Sequence, residues 1–177
     1  MDTERWDLYD RDGKPLGRTI VRGRRLSAGE HHLVVHIWVV NSVGRYLLQR
    51  RSPRRRLMPN MWAATGGSAI TGEDSLTAAR RELAEELGIR PRPEEFQFLG
   101  RLNRRNSLCD LWLVQKDVPV TAMRLQKEEV AQVRWVTREQ LEEMVNDGRF
   151  HHYGAPYFRF LFREIEKRVK KNDQVAD

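Results

Sequence analysis

Between Gly67 and Ile89 the chain sets glutamates and one arginine at a regular spacing. It reads Gly67, five residues, Glu73, seven residues, then Arg81-Glu82-Leu83-Ala84-Glu85-Glu86-Leu87-Gly88-Ile89. On a helix, Glu82, Glu85 and Glu86 stand at i, i+3 and i+4 and share one face. Leu76, Leu83 and Leu87 fall on the neighbouring face, roughly 110–130° round at about 100° per residue. One stripe therefore faces a core and one carries three carboxylates. Like charges at this spacing repel, and they stand near the negative C-terminal end of the helix. Local stability would not select that stripe. A divalent cation would offset the repulsion. Mg²⁺ and Mn²⁺ favour carboxylate and carbonyl oxygens and can bridge to phosphate oxygens. They also make a bound water more acidic, which supplies a nucleophile. Taken without its surroundings, the same stripe is a solvated helix face with an ordinary Arg81–Glu85 pair.

The elements around this stripe must position it. Asp74 is an N-cap and Gly88 a C′ stop for a helix from Ser75 to Leu87. Trp6–Tyr9 and Leu16–Val21 read as strands about the turn Asp10–Gly13. His32–Val40 is rich in Val, Ile and Trp and reads as a buried strand. Tyr46–Arg50 reads as its hairpin partner, and Met61–Thr65 as one short strand. Phe96–Arg104 and Leu108–Gln115 read as an antiparallel pair, followed by a strand at Val130–Val136. Thr137 with Gln140 is a capping-box signature for a helix to about Asn146. Pro156 suits the first position of a last helix, which runs to about Lys170. Phe158, Leu161, Phe162, Ile165 and Val169 take helical spacing on it, so the aromatic and basic run Tyr157–Arg163 reads as core rather than as a nucleic-acid surface. The tail after Lys171 reads as frayed. Strands alternating with helices predict mixed α/β, with helices on both faces of a sheet.

Composition narrows the function classes. The chain has 177 residues, 40% hydrophobic and 32% charged, which excludes disordered and fibrous classes. The length suits a single domain. Lys+Arg number 32 against 25 for Asp+Glu, giving +7, a balance that attracts anions such as phosphates or RNA. RNA is a possible partner but not the favoured one, because no RRM, KH or zinc-finger signature is present. No run of apolar residues approaches a membrane span. Met1–Arg5 leads into no apolar stretch, so no signal peptide is expected and the expected location is cytoplasmic. Cys109 is the only cysteine, which excludes an internal disulfide, and it reads as a buried structural thiol. His31, His32 and His36 read as structural. His151 and His152, adjacent on an extended segment, point to opposite sides and make a poor metal pair.

The complete spacing from Gly67 is the nudix box, G-x5-E-x7-R-E-U-x-E-E-x-G-U with U aliphatic, matched at every fixed position. Average composition produces such a match roughly once in 10⁹ start positions. The chain resembles the nudix hydrolase superfamily. The resemblance implies an α/β/α sandwich with a mixed sheet over residues 29–146, an N-terminal hairpin extension over 1–28 and a C-terminal helix over 155–171. It implies Mg²⁺- or Mn²⁺-dependent cleavage of a diphosphate linkage in a nucleoside-diphosphate-type small molecule. By position, Glu85 and Glu86 would bind metal, Glu82 would bind metal or act as general base, and the Gly66 carbonyl would be a further ligand. Arg81 would orient a catalytic carboxylate, and Glu73 would support the junction that begins at Gly67. Glu128 and Glu129 are candidates for a further carboxylate from outside the box. Arg51, Arg54 and Arg55, in the basic run before the box, are candidates to clamp the substrate.

The N-terminal half is similar to the branch that contains isopentenyl-diphosphate isomerase. The matching pieces are Trp6–Asp10, His32-Leu33, Trp38, Asn41, Leu47–Pro53 and Pro59–Trp62. That branch's isomerase uses a cysteine where Gly66 stands and a histidine ligand where Ser68 stands; only His32 matches an isomerase metal ligand. The intact box favours a hydrolase on an isomerase-like scaffold over an isomerase. A nucleotide- or RNA-binding module, including an RNA 5′-end diphosphatase, is the other alternative. Oligomeric state is left open.

Overall fold

The computed structural model describes residues 4–173. Met1–Thr3, at the start of the segment read as lacking a signal peptide, lie outside the described residues. So do Gln174–Asp177 in the tail and the side chain of Val169. Strands β1 (Arg5–Tyr9) and β2 (Pro15–Val21) form a separate antiparallel hairpin. Asp10 builds its turn by accepting the N–H groups of Asp12 and Lys14, both at 2.9 Å.

The main sheet holds β3 (His32–Val40), β4 (Tyr46–Arg51), β5 (Trp62–Ala63), β6 (Thr65–Ser68), β7 (Phe96–Asn103), β8 (Ser107–Gln115) and β9 (Val130–Val136). β3 is its centre. It pairs in parallel with β8 from His32↔Ser107 to Val40↔Gln115, and antiparallel with β6 from Val34↔Ser68 to Ile37↔Thr65. β7 and β8 pair antiparallel, as read.

Two expectations change. β4 meets β3 only at Val40↔Tyr46 and then satisfies its ladder with β9 and β5. Segment 61–65 is not one strand but divides at Ala64: Trp62–Ala63 follow β4, and Thr65–Ser68 follow β3. The reason is that β6 occupies the edge of β3 that a longer hairpin would need. The sheet therefore forks, with β3 and β6 on one arm and β4 and β5 on the other.

Helix α1 (Ser75–Leu87) covers one face of the sheet, and α2 (Arg138–Asn146) with α3 (Ala155–Asp173) covers the other. β3 shows why both faces need cover. Leu33, Val35, Ile37 and Val39 pack with Leu83 and Leu87 of α1, while Trp38 and Val40 pack with Leu141, Phe158 and Leu161. Burying each of Leu83 and Leu87 contributes on the order of 1.5–3 kcal/mol, and it fixes the rotation of the acidic stripe. The caps are as expected. Asp74 accepts the Thr77 N–H at 2.7 Å, Gly88 takes φ 71°, and Thr137 and Gln140 close a full capping box. α3 begins at Ala155, one residue before Pro156, and buries Tyr157, Phe158, Leu161, Phe162 and Ile165 while Arg159 and Arg163 stay exposed. No helix among the described residues is long and apolar enough to cross a membrane.

Candidate active site

Arg81 joins the loop before α1 to the stripe on it. Its Nε and Nη2 donate to the two oxygens of Glu73 at 2.7 and 2.9 Å, a bidentate pair. Nη1 donates to Glu82 at 2.9 Å and to Glu85 at 3.2 Å, and Nη2 also reaches the Ser68 carbonyl at 3.1 Å. Glu73 accepts the Ile70 N–H at 3.0 Å as well, so it ties the loop to the helix. Hydrogen bonding to Glu73 raises the Arg81 guanidinium still further above its ordinary value.

The three stripe carboxylates have different surroundings. Glu85 is 53% exposed at its side chain, Glu82 only 14%, and Glu86 as a residue 5%. Burial, and then the charge of Glu82, push Glu86 up to about 8, against the opposing Gln49 amide and Gly66 backbone. Gln49 Nε2 donates to Glu86 at 2.8 Å, and its Oε1 accepts from the Thr65 hydroxyl at 3.3 Å. Burial also raises Glu82, opposed by Arg81.

Space explains the two glycines below these acids. A Cβ on Gly67 would lie 2.2 Å from Glu82 Oε1, and one on Gly66 would lie 2.2 Å from the Val35 carbonyl oxygen. Glu82 therefore packs directly on the Gly67 backbone.

The donor set suits a hard divalent cation: carboxylates with an adjacent backbone oxygen. Glu86, buried beside Glu82 and Glu129, is a carboxylate whose ionised form such a cation would favour. Among the described residues no three His, Cys, Asp or Glu side chains are already drawn together around one point. Glu82 and Glu85 turn to Arg81, and Glu86 turns to Gln49.

The basic loop is not uniform. Arg51 is half-buried, donates to the Leu57 carbonyl at 3.0 Å and lies in the field of Glu86 and Glu129. Arg55 pairs with Glu129 at 2.5 Å. Arg54 is exposed, as is Glu128. The structure thus brings Arg51, Arg55 and Glu129 toward the box acids, and leaves Arg54 and Glu128 at the surface.

Two neighbours, Gln49 and Arg22, were not singled out in the sequence. Gln49 is followed in β4 by Arg50 and Arg51, so nothing local marks it as the residue that reaches Glu86. Arg22, at the end of the first hairpin, adds positive field at Glu82 and His32. Trp6 stacks on His32 at 4.0 Å. His36 and Trp38 both meet the Tyr157 hydroxyl at 2.8 Å, and His36 stacks on Tyr153 at 4.5 Å. Cys109 is fully buried in the core, and burial pushes its thiol up to about 12. It is no acid or base for an isomerisation.

The NUDIX domain family model matches residues 30–156. A Nudix hydrolase of Listeria monocytogenes is 39% identical over 156 residues, which span 88% of this chain and 90% of that protein. DR0079 of Deinococcus radiodurans superposes with a TM-score of 0.70 at 24% identity, covering 82% of this chain and 90% of that one. The NUDIX domain of Shewanella oneidensis NrtR, solved with ADP ribose, superposes at 0.61 with 16% identity, covering 87% and 96%. Those two likenesses show the fold. Taken with the box, the family match and the Listeria relative show that the chain belongs to the Nudix hydrolases, enzymes that act on phosphoanhydride bonds.

Proposed function

We propose that this chain is a Mg²⁺- or Mn²⁺-dependent hydrolase that cleaves a diphosphate linkage in a nucleoside-diphosphate-type small molecule. The observation that carries the reading is the buried Glu86, held by Gln49, beside Glu82, which packs on Gly67 and is held by Arg81. Divalent metals are typical of the family, and the ADP ribose bound to the NrtR domain belongs to the proposed substrate class. When bound, the cation supplies positive charge and a more acidic water. Glu82, Glu85, Glu86 and the Gly66 carbonyl are the groups that would hold it.

The chain's own residues do the rest. Glu82 takes the proton of the attacking water, and Arg81, anchored on Glu73, keeps that carboxylate in place. Arg51 and Arg55 present positive charge where negative charge grows on the phosphates. Water attacks one phosphorus, and the bridging oxygen leaves with the other phosphate.

Phosphorus NMR of ADP ribose and a nucleoside triphosphate with Mg²⁺ tests this reading. New phosphomonoester or orthophosphate signals are expected. Isomerisation of isopentenyl diphosphate without phosphate release, and no cleavage elsewhere, would overturn it.

A further inference from the structure

A cavity of about 480 Å³ is lined by Arg11, Gly29, His31, Asn103, Arg104 and Arg105. Its wall holds three arginines and no carboxylate. The volume is of small-molecule size.

The cavity is braced from three segments. The Asn103 amide donates to the Arg11 carbonyl at 2.8 Å and joins the end of β7 to the turn of the first hairpin. Tyr9 and His31 exchange backbone hydrogen bonds at 2.8 and 2.9 Å. His31 Nδ1 contacts the Gly29 carbonyl at 3.2 Å. Arg104 is half-buried, its guanidinium 5.4 Å from the Tyr153 ring centre and 5.7 Å from that of Tyr157.

Nearby acids are committed elsewhere. Asp110 holds Arg101 at 2.6 Å, Glu30 holds Arg18 at 2.8 Å, and Asp10 accepts the N–H groups of its own turn. Asp12 is not part of the cavity wall. Among the described residues Arg11, Arg104 and Arg105 have no carboxylate partner, and such forks match a phosphate. One wall of the cavity connects to the box through a line of ring contacts. Arg104 lies 5.4 Å from the Tyr153 ring centre, Tyr153 stacks on His36 at 4.5 Å, and His36 pairs with Gly66 across β3 and β6.

We propose that this cavity is a second anion subsite, which receives a phosphate carried on the substrate away from the diphosphate that is cleaved. The substrate part of the proposal rests on the diphosphatase reading. A ribose 2′- or 3′-phosphate of a small dinucleotide and the next phosphodiester of a short RNA share this chemistry.

The first test is backbone-amide NMR during titration with inorganic phosphate. Saturable shifts are expected at Arg11 and at 103–105, and they should disappear in Arg11→Ala/Arg105→Ala. Both side chains are exposed, so the double variant should fold. Shifts confined to the 51–56 loop, or none, would overturn the subsite.

The second test compares kcat/KM within matched pairs: NADPH against NADH, coenzyme A against its 3′-dephospho form, and a 5′-diphosphorylated tetranucleotide against the mononucleotide. A preference of about tenfold for the member with the extra phosphate is expected in at least one pair, the scale of one charge-assisted contact. It should act through KM and fall to about one in the double variant, while Arg104→Lys keeps it in part. The pair that responds names the source of the phosphate. Equal kcat/KM within every pair would overturn the substrate assignment. Phosphate-induced shifts without cleavage of any compound would instead sink the diphosphatase reading and support the subsite, which separates the two failures.

Discussion

Gln49 reaches from β4 to donate to Glu86 Oε2 at 2.8 Å, and so ties one arm of the forked sheet to the acidic stripe of α1. Because Glu86 is buried, that amide is a main source of its polar contact. Gln49→Leu should cost about 1–3 kcal/mol, the scale for leaving a buried acceptor unpaired. It should also raise the metal concentration needed for half-maximal activity. Urea unfolding and a Mg²⁺ titration of activity check both.

The two glycines should fail differently. Gly67→Ala places a Cβ against a side chain, Glu82, which can be displaced. The variant should fold and lose about 10²-fold or more in kcat, since small misplacements at a reacting centre have that effect. Gly66→Ala places its Cβ against the Val35 backbone, which cannot yield within the sheet. Lower yield and a lower Tm are expected. Circular dichroism melts beside kinetics distinguish the two.

Arg81→Lys keeps the charge and loses the planar fork that serves Glu73, Glu82, Glu85 and the Ser68 carbonyl together. Activity should fall about 10²-fold or more, with kcat affected more than KM. A Lys variant with wild-type kcat would show that the fork is not needed.

The buried histidines predict a pH dependence of stability. The Trp38 indole can only donate, so the Tyr157 oxygen accepts from it and the tyrosine proton goes to His36 Nδ1. His36 is thereby fixed as neutral, and burial holds it well below its ordinary value. Burial likewise lowers His32 and His151 to about 4. The unfolded chain binds these protons below about pH 6.5 and the native chain does not, so stability is full above that pH and falls as pH drops toward 4. Each histidine contributes a slope of up to about 1.4 kcal/mol per pH unit. In His36→Gln, which keeps an acceptor for the Tyr157 proton but cannot titrate, the slope should be shallower. Urea midpoints from pH 7.5 to 5 measure it.

The box was legible because its chemistry is local. Spacings of three and four along a helix place Glu82, Glu85 and Glu86 together whatever surrounds them, and Asp74 and Gly88 mark the helix ends. Gln49 and Ser68 were not legible as partners, because their contacts cross from sheet to helix. The division at Ala64 lacked a local signal: Ala63-Ala64-Thr65 contains no turn residue, and the fork depends on which strand edges are free. Within the basic run the types of Arg51, Arg54 and Arg55 are identical. The turn closed by the Arg55 N–H on the Ser52 carbonyl at 3.0 Å, with the Glu129 pair, separates the inward residues from the outward one. The aromatic helix α3 was legible because burial alternates at helical spacing.

The central claim is that the box acids perform metal-dependent hydrolysis. Its most direct test is phosphate-bond cleavage with Mg²⁺ by wild type and Glu86→Gln across nucleoside di- and triphosphates, nucleotide sugars, dinucleotides, 5′-phosphorylated RNA and isopentenyl diphosphate. One substrate class should be cleaved, with activity lost after metal chelation and reduced about 10³-fold in the variant, the scale for removing a group used in the transition state. No cleavage by the wild type, or equal activity in Glu86→Gln, would contradict the account.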